Sequence, residues 1–481
     1  MYIVALSLKI IIFASAMSFI SRYVPYYKAN LSLALPVILS QAGQITVQLA
    51  DTAMVGHYGG DDPIPLAAVS FGSSIFYLVF IAIMGISFGL TPLVGEYFAK
   101  DDKARCTSLL QNGFTLYGIV GIIATFILMA IRPLIPLLGE LMIDNGDSGS
   151  INEVITLSLP YYDTLVWATF PIMLFYAVKQ FLEGLGNTRI AMVVIVTCNL
   201  LNILLNWVFI YGKWGVEEMG AVGAGWATFV SRVAMCVAIC LYFFTARQFR
   251  EYTRGFLSRS LLRIRIFVNL LRLGIPIAFQ MFMESLAFVA ANIVVLAFGA
   301  TAVSAYQIGT NMMNLTFMIV VAIGSATTIL CSHIYGRREF GELRRTTRAA
   351  YQMGLAWVLS VASLYVIFRT AIPTLFTTNT EVIEMASAML VVIAMFQMSD
   401  CLQALSISIL RGLQDVKIII PIVFLAYVVI TIPAGWLFAF EWGIGPVGLI
   451  VALTLGLSTV ALCTALRANH TIKQLEKEVE N

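Results

Sequence analysis

Three carboxylic acids lie inside long apolar stretches of the sequence, where a charge is expensive. Asp51, Glu284 and Asp400 are surrounded mainly by Ala, Leu, Met, Phe and Val, with no basic residue nearby in the chain. A carboxylate at mid-bilayer costs roughly 2.5 kcal/mol or more. A buried acid therefore holds a proton, a sodium ion or an organic cation, but not two of them at once. We therefore predict that Glu284 and Asp400 form one shared Na+ or H+ site and that Asp51 acts separately. The alternative for each acid is a neutral carboxyl with a purely structural role.

Amide side chains follow the helical repeat in other apolar stretches. Gln44 and Gln48 are four residues apart, as are Asn202 and Asn206, so each pair shares one face of a helix. The glutamine pair ends three residues before the first acid, and Gln307 begins a later apolar stretch. These five amides predict the polar lining of a cavity. The alternative is hydrogen bonding between helices within the bilayer.

The composition indicates which elements must position these residues. The chain has 481 residues, of which 60% are hydrophobic and 11% charged, whereas soluble domains carry about 25% charged residues. One bilayer-spanning helix needs roughly 20 apolar residues. The sequence accordingly predicts an all-α polytopic membrane protein with twelve transmembrane helices, at 31–57, 66–98, 106–131, 155–183, 190–212, 221–245, 269–298, 302–335, 347–368, 383–410, 418–440 and 445–467.

Basic residues alternate between the connectors and predict the orientation. The segment Arg247–Arg272 carries seven Arg, and residues 336–348 carry five more. Positively charged loops stay in the cytoplasm, so both termini and every even-to-odd connector are expected there. The apolar start of the chain, residues 1–30, is an N-terminal extension: a signal-like segment, a short additional helix, or an artefact of the assigned start. We favour the last, with translation beginning at Met17.

An internal repeat relates the two halves of the chain. Short segments recur in order after about 225–240 residues, and the long basic connector lies between the two copies. Six plus six spans in the same orientation is an arrangement typical of transporters. The paired segments are 33–36 with 273–276, 182–187 with 410–415, and 221–223 with 446–448.

Motifs for nucleotide hydrolysis and metal catalysis are missing. The only Gly-Lys pair, Gly212-Lys213, is followed by Trp, so the sequence has no P-loop. No H-E-x-x-H segment occurs. An intramembrane enzyme is therefore an unsupported alternative, and we expect no cofactor beyond the coupling ion.

Several segments are similar to those of multidrug and toxic compound extrusion (MATE) transporters. The resemblance covers nearly everything from residue 22 to 467. It is carried by LALPVILSQ, ADTAMVGHYG, LAAVSFGSS and GLTPLVGEYFA within 33–99, FLEGLGNTR at 181–189, NILLNWVFIYGKWG at 202–215, GAVGAGWATFVSR at 220–232 and ILRGLQD at 409–415.

The resemblance implies two pseudo-symmetric six-helix bundles that face a central cavity and open alternately to either side. Asp51 matches the acid after the family's first-span motif, and Glu284 and Asp400 match acids implicated in cation binding in the NorM-like branch. Asn202 falls on a family asparagine. Asn206 stands where the DinF-like branch carries an aspartate, so the sequence departs from that branch's proton relay. A NorM-like, sodium-coupled mechanism is favoured, and proton coupling stays open.

These observations predict a secondary efflux transporter that exchanges Na+ or H+ for organic, mainly cationic, compounds. The expected organisation is an extension (1–30), two bundles (31–245 and 269–467), a basic connector (246–268) and a polar cytoplasmic tail (468–481). We expect a monomer in a bacterial-type cytoplasmic membrane, with lipid and small organic molecules as partners and no nucleic acid. The alternative within the superfamily is a flippase for lipid-linked oligosaccharide. A flippase typically has fourteen spans and a basic cavity, whereas here the membrane acids outnumber Arg232.

Overall fold

The computed structural model describes residues 2–59, 62–137, 148–253, 256 and 262–480, with side chains from Ser21 to Glu478 apart from 148–151. Within these ranges the chain is helical without a strand, and twelve helices are long and apolar enough to cross a bilayer. This confirms the predicted fold class. The helices are α1 (Tyr2–Gly59), α2 (Ile64–Ser87 and Leu90–Ala99), α3 (Lys103–Ile131), α4 (Ser148–Trp167 and Thr169–Gly184), α5 (Arg189–Ile210), α6 (Gly220–Thr245), α7 (Ile264–Leu296), α8 (Ala300–Arg337), α9 (Phe340–Ile367), α10 (Thr380–Gly412), α11 (Ile419–Glu441) and α12 (Pro446–Glu480).

Helix ends differ from the predicted spans where helices continue beyond the apolar stretch. The first helix runs unbroken from Tyr2 through the predicted extension, and α12 continues through residues 468–480. Residues 468–480 contain three Glu and two Lys, which favour helix, and neither Gly nor Pro. Apolarity marks where a helix crosses the bilayer, but propensity and capping decide where it ends. Met1 and the side chain of Met17 lie outside the described residues.

Two helices, α2 and α11, are irregular. The second helix is interrupted at Phe88 and Gly89, and α11 contains two π-helical segments, Leu425–Thr431 and Leu437–Glu441. Such segments widen a helix locally and often occur at functional sites. One continuous apolar core runs through both halves, and its largest fully buried side chains include Tyr117 and Phe175 in the first half and Tyr306 and Phe396 in the second.

The two halves, α1–α6 and α7–α12, meet through small residues. A Cβ at Gly85 would lie 2.6 Å from Ala278 Cα, and one at Gly89 would lie 2.9 Å from the backbone nitrogen of Gly274. Helices in lipid pack most closely where side chains are absent or small. We call this contact between α2 and α7 the inner seam, because both helix ends there are predicted to face the cytoplasm.

Hydrogen bonds join the halves at the same end of the molecule. His333 Nε2 of α8 donates to the carbonyl of Gly184 at 2.8 Å, and Gln414 Nε2 donates to Glu96 Oε2 at 2.6 Å. The first helix contributes as well, because Asn30 Nδ2 donates to Thr327 Oγ1 of α8 at 2.9 Å. The structure is therefore held closed at its predicted cytoplasmic side.

Candidate cation and substrate site

Glu284 lies in the second half, in a hydrogen-bonded group of side chains from three helices. Gln280, one turn earlier on α7, donates a hydrogen bond from Nε2 to Glu284 Oε2 at 2.5 Å. Gln403 of α10 lies 3.4 Å from the same oxygen through its Nε2. The Tyr427 hydroxyl, on the π-helical part of α11, is 3.5 Å from Gln403 Nε2. The carboxylate thus has amide donors on two sides.

Asp400 lies on α10, one turn before Gln403. It is 5% exposed and accepts no hydrogen bond from any residue that the structure describes. Its carboxyl is within electrostatic range of Glu284, and Tyr427 is within range of both acids. That the two acids share one cation site stays a prediction.

Two buried amide oxygens without donors among the described residues belong to residues on the same helix face as Asp400. Gln397 and Gln403 lie three residues to either side of Asp400 and so share its face of α10. Both amides are 1% exposed, and the Oε1 atom of each is buried with no hydrogen-bond partner in the described structure. Buried polar atoms are rarely left unpaired. Two carboxyls and two free carbonyl oxygens are the kind of ligands that a hard cation prefers. A proton bound to one of the acids would provide a donor for one of these oxygens.

A second polar cluster lies in the first half. Asn206 Nδ2 donates to Asp51 Oδ1 and to Asn202 Oδ1, the latter at 3.2 Å. Asn202 and Asn206 are 3% and 0% exposed, so these amides are internal and hold the carboxylate of α1 against α5. The structure brings together these three residues as one group.

Arg232 is the cation that faces this first cluster. Its guanidinium lies 5.4 Å and 5.5 Å from the ring centres of Phe76 and Phe80, and Nη2 donates to the Tyr77 hydroxyl at 3.3 Å. Asp51 lies within its electrostatic range. The guanidinium is therefore held mainly by aromatic faces and the Tyr77 hydroxyl.

Three of the predicted cavity amides lie apart from both clusters. Gln44, Gln48 and Gln307 are exposed, and Gln307 Nε2 points to Asn311 Oδ1 at 3.4 Å, on the next turn of α8. Exposure is compatible with a cavity lining, and their role stays a prediction.

Sequence reasoning missed four side chains around Glu284, among them Arg411, whose Nη2 donates to Gln280 Oε1 at 2.7 Å. Gln280 precedes Glu284 by four residues and Gln403 follows Asp400 by three, so helical spacing alone would have found both. Tyr427 and Arg411 carry no such signal, because their partners lie on other helices.

Comparisons with known proteins match both halves. A family model described as MatE matches residues 36–208 and 276–437. The multidrug resistance protein NorM of Vibrio vulnificus is 28% identical over 466 residues, covering 95% of this chain and 98% of that protein. A MOP superfamily transporter from Pyrococcus furiosus superposes with a TM-score of 0.82 at 22% identity, covering 94% of this chain and 97% of that one. A eukaryotic MATE transporter gives a TM-score of 0.82 at 19% identity, covering 95% and 99%.

Proposed function

This chain belongs to the MatE family of membrane transporters, and on that premise we propose that it exports small organic cations in exchange for Na+ or H+ entering the cell. A transporter, and not an enzyme, is what the relatives indicate. The choice of coupling ion and of substrate class comes from the chemistry of the two buried clusters.

The observation that carries the proposal is the pair Glu284 and Asp400 beside two unpartnered amide oxygens. Two carboxylates within range of each other in an apolar bundle are strongly unfavourable unless a cation or a proton lies between them. A bound Na+ or H+ compensates the charge of the two carboxylates, and an organic cation attracted by the same negative potential competes with that ion for the site. Competition for one site lets one gradient drive the other without ATP.

Alternating access requires that the halves separate at one end when they meet at the other. The inner seam is closed in this structure, so ions would reach the site from the opposite, outer side of the membrane. Binding a cation at Glu284 shifts the balance between the two forms only if the two forms differ in affinity for it. The first-half cluster around Asp51 provides a second acid, whose carboxylate accepts a hydrogen bond from Asn206.

Neutralising substitutions test the shared site. In proteoliposomes with imposed Na+ and H+ gradients, Glu284→Gln and Asp400→Asn should each abolish efflux of a cationic dye. The double variant should be hardly worse than either one, because effects of residues that serve one step are not additive. Glu381→Gln, which removes an exposed acid from the same helix as Asp400, is the control. Normal ion-driven efflux in either single variant would refute the proposal, and the arm that drives wild-type efflux identifies the ion.

The proposed location is the cytoplasmic membrane of a bacterium, with the chain acting as a monomer and both termini inside. In a background without native cysteines, an impermeant maleimide added to intact cells should label Thr378→Cys, in the connector before α10, and leave Gln248→Cys, in the basic connector, unlabelled. The reverse pattern would invert the topology.

A further inference from the structure

Arg411 is connected to the ion site through a single amide. It lies at the inner end of α10, and its Nη2 donates to Gln280 Oε1 at 2.7 Å. The other end of the same amide, Nε2, donates to Glu284 at 2.5 Å. A guanidinium can only donate and an ionised carboxylate can only accept, so the charges at the two ends dictate how the Gln280 amide is turned. The amide is 4% exposed and exchanges neither end with water.

Glu284 is the acid that balances the charge of Arg411. In the described part of the chain, Arg411 forms no ion pair within 4.0 Å, and its Nε is buried without a partner. The two groups are within electrostatic range of each other. The repeat provides a contrast: Glu183, at the equivalent position in the first half, has its own local partner in Lys179 at 2.9 Å. A buried charge without compensation is strongly unfavourable, so Arg411 depends on the charge of Glu284.

The same guanidinium also contacts the first half of the molecule. It lies 5.7 Å from the ring centre of Phe88, at the interruption of α2 next to Gly89 of the inner seam. One side chain therefore contacts an element of the ion site and an element of the seam. Attraction between a cation and an aromatic face is short-ranged, so this contact exists only while the seam is closed.

We propose that Arg411 is a positioning residue that acts as a built-in cation, competing through Gln280 with the coupling ion for the charge of Glu284. The inference rests on the proposed function. While Glu284 is free, its charge holds Gln280 and Arg411 in place against Phe88, and the inner seam is stabilised. When Na+ or H+ neutralises Glu284, Gln280 loses a charged acceptor and Arg411 loses its balancing acid. The seam contact weakens, and ion binding favours inner opening.

Competition with the coupling ion predicts the opposite change in ion affinity from a purely structural role of Arg411. The groups facing Glu284 are Gln280 on its own helix, Gln403 and Asp400 on α10, Tyr427 on α11, and Arg411 as the only cation among those described. Removing the charge of Arg411 leaves the negative charge of the two acids less compensated, so their affinity for Na+ or H+ should rise. Arg411→Gln should therefore tighten ion binding, whereas a variant that merely loosens the bundle should weaken it. Coupling between two sites is commonly about fivefold or more in affinity.

Carbodiimide labelling of Glu284 in the purified full-length protein, read by mass spectrometry, measures the site without transport. Sodium titrations at fixed pH and pH titrations without sodium give the midpoint for protection or protonation. For Arg411→Gln we expect half-protection at an about fivefold or more lower Na+ concentration, or labelling that persists at an about fivefold lower proton concentration. Arg411→Lys keeps the charge and should stay near the wild-type midpoint. Arg467→Gln, which removes a cation paired with Asp415 at the same end, is the control.

Phe88→Leu distinguishes the seam contact of Arg411 from its electrostatic effect on Glu284, because it removes the ring and leaves the charge of Arg411. Because coupling is reciprocal, its ion midpoint should shift in the same direction but less than that of Arg411→Gln, while a reporter cysteine at the seam becomes more reactive. An unchanged or weaker ion affinity in Arg411→Gln, with Arg411→Lys behaving alike, would overturn the inference. If Glu284 is protected by the ion as expected and yet no ion gradient drives wild-type efflux, the proposed function fails and the competition stands. If efflux is ion-driven and the Arg411→Gln midpoint does not tighten, the inference alone fails.

Discussion

The inner seam offers a direct test of the alternating arrangement, through the glycine of α7 that contacts α2 most closely. A Cβ at Gly274 would lie 2.5 Å from the carbonyl oxygen of Ile86 and 3.0 Å from its Cα. Ordinary contacts between heavy atoms are about 3.5–4.0 Å, so Gly274→Ala makes the helices separate by about 1 Å. The obstacles are backbone atoms, which cannot turn aside as a side chain does.

The energy of this clash acts on one form of the protein only. Overpacking a tight contact typically costs about 1–3 kcal/mol, and each 1.4 kcal/mol is about a tenfold change in an equilibrium. The inner-closed form should therefore lose population by about fivefold to about a hundredfold against the form in which the seam is open. Ala is also a better helix former than Gly by about 1 kcal/mol, but that gain is common to both forms and leaves their ratio unchanged.

Thiol reactivity at the seam measures the shift. Ser332→Cys places a reporter on α8 against Gly95 of α2, six residues after Gly89 of the inner seam, at a position that is 0% exposed, in a background without native cysteines. Maleimide labelling of this reporter in inside-out vesicles should be faster by about fivefold or more when Gly274→Ala is added. Gly341→Ala is the matched control, because nothing lies within 4 Å of a Cβ built there. Equal labelling rates in the two glycine variants would refute the reasoning.

Three further substitutions address separate parts of the molecule. Asp51→Asn should insert and fold, as judged by size-exclusion chromatography, yet lose dye efflux; loss of folding instead would mean that the acid is structural. Tyr26→Phe deletes the hydroxyl that donates to Glu342 and should lower unfolding free energy by about 0.5–1.5 kcal/mol, which thermal melting in detergent can detect; an unchanged melting temperature counts against that bond. Asp415→Asn breaks the ion pair with Arg467, at 2.7 Å, and should cost about 0–1 kcal/mol, with high salt reducing the difference from wild type; a salt-independent loss would point to packing.

Much of the architecture could be read from the residues because the bilayer leaves few choices. A polar backbone in hydrocarbon must satisfy its hydrogen bonds internally, so an apolar stretch of about 20 residues becomes a helix. The predicted spans therefore agree with the helices to within a few residues at most boundaries. Acids within those stretches, Asp51, Glu284 and Asp400, were conspicuous for the same reason. Helix ends were less well predicted, since propensity outside the bilayer extends α12 to Glu480.

The tertiary structure decided which of these residues meet. Helical spacing relates residues within one helix, and so it accounts for Gln280 beside Glu284 and for Asn202 beside Asn206. It contains no information on which helix faces which, and the contact of Gln280 with Arg411 joins positions 131 residues apart. The halves meet where small residues let helix backbones approach closely, as at Gly85 and Gly89 of α2 against α7, and helical spacing does not tell which small residues of different helices will face each other.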